Sequence, residues 1–220
     1  MLADPDNADA WDIVRRFQRS HVEPTVRLAT AVAAMAMARD FAFGPVVPRI
    51  KRVERIVEKI ARHSTALDRL QDVGGCRIVV ADVVSQQQVT ARLLELPFEL
   101  VDVDDHVARA GASPFEANSR GPKGSGYRAI HLIHRVDGRL LETQVRTAVQ
   151  HQWAVAVERA EQITGFPLKF GDAPPELLGY FRVASTIHAL QERDESVDAD
   201  LASELAELRE RIRRYYRRSR

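Results

Sequence analysis

The chain of 220 residues carries 32 Lys and Arg against 31 Asp and Glu, with 45% hydrophobic residues and a single cysteine. This is the composition of an ordinary globular protein; it excludes an internal disulfide and a multi-cysteine zinc site, and the length suits one domain with appendages or two small ones. Charge is unevenly spread: residues 209–220 hold seven arginines against Glu210 alone, a local +6 that leaves the rest of the chain at −5 and argues against a general nucleic-acid coat.

Helical spacing predicts a helix over residues 8–40, broken near His21-Val22-Glu23-Pro24, since proline suits a first turn and not a helix interior. The longest apolar run, Leu28 to Ala38, lies between Arg27 and Arg39 and is too short to span a bilayer. The start, Met1-Leu2-Ala3-Asp4-Pro5-Asp6, lacks the order of a signal peptide, so a soluble cytoplasmic protein with no membrane partner is expected. Gly44-Pro45 and Pro48 punctuate a linker. From Arg49 to about Leu70, the positions Val53, Ile56, Val57, Ile60 and Leu67 predict a second helix, with Lys51, Arg55, Lys59 and Arg62 as a basic stripe on its other side.

Asp72-Val73-Gly74-Gly75 leads into a β-rich run, Cys76 to Ala81, read as a strand; Val84 to Leu96 suits a helix and Phe98 to Val103 another strand. Asp72 sits on the turn, where it either caps the turn or serves as a hard oxygen ligand for Mg²⁺, an ion that takes one or two protein carboxylates plus substrate phosphates. Residues 104–126 form a long polar stretch of the kind that is either a functional lid or disordered. Tyr127–Val136 and Arg139–Arg146 then flank Asp137-Gly138, a strong hairpin signal. Helices follow over Thr147 to about Gln162, from Pro174-Pro175 to Gln191, and over Val197–Tyr216, the last charged and amphipathic.

With a two-residue turn, alternation along the hairpin places Tyr127, His131, Glu142, Gln144 and Arg146 on one face, opposite an apolar face of Ile130, Leu132, Val136, Leu141 and Val145. A solvated antiparallel face also carries mixed charges. The approach Gly121-Pro122-Lys123-Gly124-Ser125-Gly126 weighs against that plain reading, because glycines admit a ligand close to the backbone and Lys123 offers a phosphate counter-charge. It is not a P-loop, since the spacing differs and a strand follows.

In their order and spacing, Arg49-Ile50-Lys51 with Lys59, Asp72-Val73-Gly74-Gly75-Cys76-Arg77-Ile78, Pro122-Lys123-Gly124-Ser125-Gly126-Tyr127-Arg128-Ala129-Ile130-His131 and Glu142-Thr143-Gln144-Val145-Arg146-Thr147 resemble the synthetase domain of the RelA/SpoT family, with Trp153 on the next helix also fitting. The resemblance covers roughly residues 46–165, leaving helical extensions at 1–45 and 166–220. It implies an α/β (α+β) fold, a mixed and mainly antiparallel sheet flanked by helices as in nucleotidyltransferases. It further implies transfer of the β,γ-pyrophosphate of ATP to the ribose 3′-hydroxyl of GDP or GTP, with Mg²⁺ as cofactor.

By the same resemblance, Asp72 and Glu142 are the catalytic and metal-holding carboxylates, Glu142 alternatively acting as base. Arg49 and Arg77 flank the adenine, while Lys51 and Lys59 hold the ATP phosphates. Tyr127 stacks on the acceptor base, and Lys123, His131, Gln144 and Arg146 line the acceptor side. Three positions depart from the family's pattern: Arg55 and Ala129 replace serines, and a Lys-Asp-Tyr segment is not recognisable in Asp104–Arg120. With the arginine-rich end, the last departure keeps open a toxin of the same family that modifies the 3′ end of tRNA and is held by an antitoxin protein. A catalytically silent nucleotide-binding relative is the third reading. Leu201, Leu205, Leu208, Ile212 and Tyr215 give the last helix an apolar stripe, expected to mediate self-association through the terminal helices.

Overall fold

The computed structural model describes residues 8–38, 41, 43–108, 114–115, 118–119 and 124–217. Among the described residues, seven α-helices and six strands run in the order α1 (Ala8–Arg19), α2 (Val22–Ala38), β1 (Val47–Ile50), α3 (Val53–His63), β2 (Gly74–Val80), α4 (Val83–Leu93), β3 (Glu99–Asp105), β4 (Asn118–Ser119), β5 (Ile130–Val136), β6 (Arg139–Thr147), α5 (Ala148–Thr164), α6 (Pro175–Gln191) and α7 (Ala199–Arg217). The strand order is β1-β2-β6-β5-β3-β4, with β1 antiparallel to β2 and β4 parallel to the end of β3. This mixed, helix-flanked sheet is the α/β fold that the sequence motifs imply.

The described residues fall into two compact units. One gathers those up to 79 with 87–103 and 131–145, and the other gathers 80–86, 104–130 and 146 onwards. In the first unit α1 packs on α3 through Val14, Ile56, Val57, Ile60, Leu70 and Val73. The break between α1 and α2 falls at Ser20-His21, one turn ahead of Pro24. Asp137 and Gly138 close the β5–β6 hairpin with φ of 49° and 75°, both positive as a type I′ turn demands.

The expected helix from Arg49 instead begins at Val53, and Arg49 belongs to strand β1. Pro48 biases Val47 to extended backbone, and the segment is held by pairing with β2, continued by the Lys51 amide donating to Val73. Proline is tolerated because β1 is an edge strand.

In the second unit a capping box starts α5: Thr147 Oγ1 accepts from the Gln150 amide, and the Gln150 side chain accepts from the Thr147 amide. Trp153, Ala154, Val157 and Ala160 of α5 join Leu177, Phe181 and Ile212 in one core. The apolar stripe of α7 lies against α6, with Leu208, Leu201 and Leu205 packed on Val183 and Ile187. Leu208 and Ile212 are buried in this way, while Leu201, Leu205 and Tyr215 stay half-buried. Among the described residues no helix is long and apolar enough to cross a membrane.

Candidate active site

The register of β1 on β2 pairs Val47 with Arg77 and Arg49 with Gly75. Opposed residues share a face, so Arg49 and Arg77 become diagonal neighbours, and Gly75, directly opposite Arg49, has no side chain. Gly75 also lies hard against β6: a Cβ there would lie 1.9 Å from the Glu142 carbonyl oxygen. That close approach brings Glu142 beside the strand that follows Asp72. Arg49, Asp72, Gly75, Cys76, Arg77, Glu142 and Gln144 line one cleft of about 130 Å³.

Two lysines hold Asp72. Lys51, just past β1, donates to Asp72 Oδ2, and Lys59 on α3 reaches the same oxygen at 2.9 Å. Two members of the expected basic stripe therefore converge on one carboxylate, whereas Arg55 turns to Glu58 on its own helix at 2.7 Å. Burial acts to raise the Asp72 pKa, but the fields of Lys51 and Lys59 outweigh it and hold the carboxyl below its usual range; Glu142 nearby opposes them. Lys51 is in turn lowered from an ordinary lysine, chiefly by burial and then by Lys59 and Arg49, with Asp72 pulling the other way.

Glu142 is held from both sides. His131 Nδ1 lies 2.9 Å from Oε1, and Gln144 Nε2 donates to Oε2 at 2.5 Å. The Glu142 side chain is only 16% exposed. Burial works to raise its pKa; the charge and hydrogen bond of His131, the donation from Gln144 and the field of Lys51 win, and the carboxyl lies well below the usual range. His131, Glu142 and Gln144 do share one face of the hairpin, yet that face is buried: His131 and Gln144 are 8% and 9% exposed. Cys76 is a buried free thiol facing the Thr143 hydroxyl, and burial raises its pKa to about 11, so it is an inert wall of the cleft.

Tyr127 lies ahead of the strand on which it was expected, because β5 starts at Ile130. It still meets Arg146: the guanidinium donates to the Tyr127 hydroxyl at 2.9 Å and stands 5.2 Å from the ring centroid. His106 and Trp153 pack edge-on around the ring at 6.1 and 6.4 Å. Lys123, with Gly121 and Pro122, lies outside the described residues. Residues without a site role in the sequence reading also gather nearby: Arg128 and Thr147 both hydrogen-bond Glu192.

The donor set suits a divalent cation that needs few protein ligands. Asp72 Oδ1 is buried with no hydrogen-bond partner, its sister oxygen already being taken by the lysines, and the Glu142 carboxylate lines the same cleft. Among the described residues no group of three or more His, Cys, Asp or Glu forms a cage. That combination fits Mg²⁺ held by one or two carboxylates and by ligand phosphates, and it does not fit a closed zinc site.

A family model for the region found in RelA/SpoT proteins matches residues 48–161. The chain is 28% identical over 163 residues to an uncharacterized protein of Mycobacterium tuberculosis, a match that covers 74% of this chain and 55% of that one, so the chain spans about half the length of this relative. Small alarmone synthetase 1 from Bacillus subtilis is similar in fold, with a TM-score of 0.63 at 23% identity, covering 84% of this chain and 94% of that chain. The same synthetase bound to its product pppGpp gives a TM-score of 0.60 at 22% identity over 93% of this chain and 99% of that one. At these identities the likeness to the solved structures is one of fold. The family match covers more than half of the chain, which belongs to the RelA/SpoT family.

Proposed function

We propose that this RelA/SpoT-family chain is an ATP-dependent pyrophosphokinase that makes (p)ppGpp from GDP or GTP. The reaction moves the β,γ-pyrophosphate of ATP: the ribose 3′-oxygen attacks the β-phosphorus, the bond from the β-phosphorus to the α,β-bridging oxygen breaks, and AMP leaves. The observation that carries the reading is the cleft that Asp72 and Glu142 line with Arg49 and Arg77, where Lys51 pairs with one oxygen of Asp72 and the other oxygen lacks a partner. Phosphoryl-type transfer is mostly positioning and charge neutralisation, and these are the groups that such chemistry employs.

In this reading Asp72 and Glu142 hold Mg²⁺, which when bound neutralises charge on the transferred phosphates. Lys51 and Lys59 leave Asp72 Oδ2 for the phosphates of ATP; the depressed pKa of Lys51 rises as those anions arrive. Arg49 and Arg77, diagonal neighbours on β1 and β2, flank a flat purine, each guanidinium stacking on one face. The low pKa of Glu142 makes it a weak base and favours its cation-holding role over proton abstraction. Tyr127, His131, Gln144, Arg146 and Lys123 take the acceptor nucleotide; the related synthetase of B. subtilis is known with pppGpp bound, which supports an acceptor of that kind.

The arginine-rich residues 209–220 favour a second reading, with the 3′ end of tRNA as acceptor and an antitoxin as partner. One experiment decides. The chain is incubated with γ-labelled ATP and Mg²⁺ in parallel with GDP, GTP or bulk tRNA. Label on the guanine nucleotide supports the first reading and label on tRNA the second; label on neither sinks both in favour of a silent nucleotide-binding relative.

A further inference from the structure

Four side chains from separated stretches of the chain meet within the second unit. Arg128 donates through Nη1 to Glu192 Oε2, and the Thr147 hydroxyl donates to Glu192 Oε1. Arg128 Nε donates to Ser185 Oγ at 3.1 Å, and that hydroxyl donates to the carbonyl of Gly126. The Arg128 and Glu192 side chains are 4% and 7% exposed, and Thr147 and Ser185 are buried. Gly126, with φ of 89°, comes so near α6 that a Cβ would fall 2.9 Å from the Cβ of Ser185. No side chain but hydrogen is tolerated there.

The chain is therefore tied to α6 and its C-terminal end on both sides of Tyr127, through the Gly126 carbonyl to Ser185 and through the Arg128 side chain to Ser185 and Glu192. The second oxygen of Glu192 takes Thr147, the chain neighbour of Arg146. Tyr127 and Arg146 in turn hold one another by a hydrogen bond and a ring contact. One buried carboxylate thus joins the two backbone positions that flank this pair. A buried ion pair is weak evidence for stability, because desolvation offsets its attraction; what it does well is fix one arrangement against others. Glu192 and Ser185 also lie beyond the matched family region, which ends at residue 161.

We propose that Glu192 is a positioning residue for the acceptor side of the site, setting Tyr127 and Arg146 through Arg128 and Thr147; this rests on the reading of Tyr127 and Arg146 as acceptor-binding groups. The segment after residue 165 is then part of the acceptor pocket's support, with Ser185 as its second anchor.

The test uses the full chain with Glu192→Gln, Glu192→Asp and Ser185→Ala. Glu192→Gln is expected to raise KM for the acceptor nucleotide about tenfold while KM for ATP stays within about twofold, because misplacement acts on the half of the reaction that those residues contact. Glu192→Asp, which keeps the carboxylate, recovers most of the loss, and Ser185→Ala shifts the same constant by less. A readout independent of turnover comes from Trp153, whose ring centroid is 6.4 Å from that of Tyr127. The chain has two tryptophans, so a Trp11→Phe background leaves Trp153 alone, and Glu192→Gln should change its emission and acrylamide quenching. Where circular dichroism shows Glu192→Gln unfolded, Ser185→Ala carries both readouts. Equal rises in the two KM values, or an unchanged Trp153 signal, overturn the proposal. A wild-type chain that transfers nothing to any acceptor overturns the functional reading instead, and the Trp153 signal then decides the positioning claim by itself.

Discussion

Asp72 with its two lysines and Glu192 with Arg128 are both shielded carboxylate–cation clusters, and they are built in opposite ways. Lys51 and Lys59 crowd one oxygen of Asp72 and leave the other, buried, without a partner beside an open cleft. Arg128 and Thr147 use both oxygens of Glu192, and only Arg128 Nη2 is left over. Lysine is a point charge on a flexible stem and can move to a phosphate; arginine in a planar fork is committed to its geometry. In the proposed reading the first cluster exchanges partners with a ligand, whereas the second keeps the ones it has.

The comparison breaks most visibly if the two clusters respond alike to neutralisation. Asp72→Asn and Glu142→Gln should each cut labelled pyrophosphate transfer by about a thousandfold, the scale of losing one preorganised electrostatic contact to a transition state, with the far-ultraviolet circular dichroism retained. A tenth of wild-type activity surviving in Asp72→Asn would put that cluster in the same structural class as Arg128–Glu192.

A smaller effect is expected where backbone contact positions the first cluster. Gly75→Ala forces a methyl onto the Glu142 carbonyl and should cost about 1–3 kcal/mol, several degrees of Tm in a chain this size. An unchanged Tm would mean that β2 and β6 are not so closely apposed.

The acid limb sharpens the same contrast. Asp72 and Glu142 both titrate below the ordinary carboxyl range. As pH falls, the unfolded chain takes up these protons first, near pH 4, so their stabilisation is complete above that and is lost as pH drops towards the folded values. Urea midpoints should therefore fall between about pH 5 and pH 3, and Glu142→Gln should flatten the fall. A slope identical to wild type would remove the argument that Glu142 is ionised in the folded chain. The smallest effect is set by a pair with neither burial nor a cleft. Arg27 and Asp137, 55% and 42% exposed, should contribute less than about 1 kcal/mol, measured as the Tm change of Arg27→Ala.

The parts of the fold legible in the sequence rest on local causes. Asp137-Gly138 announced the hairpin because only residues tolerant of positive φ close a type I′ turn, and helical spacing announced α5 from Thr147 onward, where the structure adds a reciprocal cap by Gln150. The helix expected from Arg49 failed for a non-local reason: pairing with β2 competes with helical spacing, and a single-chain pattern cannot see the partner strand. Tyr127 was misplaced similarly, since Gly126 and Arg128 are drawn to α6 by residues 57 to 64 positions away. That the functional face of the hairpin is buried could not be read from the sequence, because alternation reports two faces and says nothing of what covers each.

The residue sequence by itself determined the family resemblance, the candidate carboxylates Asp72 and Glu142, the candidate cations and the hairpin, because spacing along one strand or turn is a property of contiguous residues. Only the tertiary structure decided that Lys51 and Lys59 share one oxygen, that Arg49 and Arg77 become diagonal neighbours on β1 and β2, and that Glu192 grips the chain beside both Tyr127 and Arg146. Those arrangements depend on which groups approach one another across 13 to 64 residues of chain, and on how much water is excluded when they do.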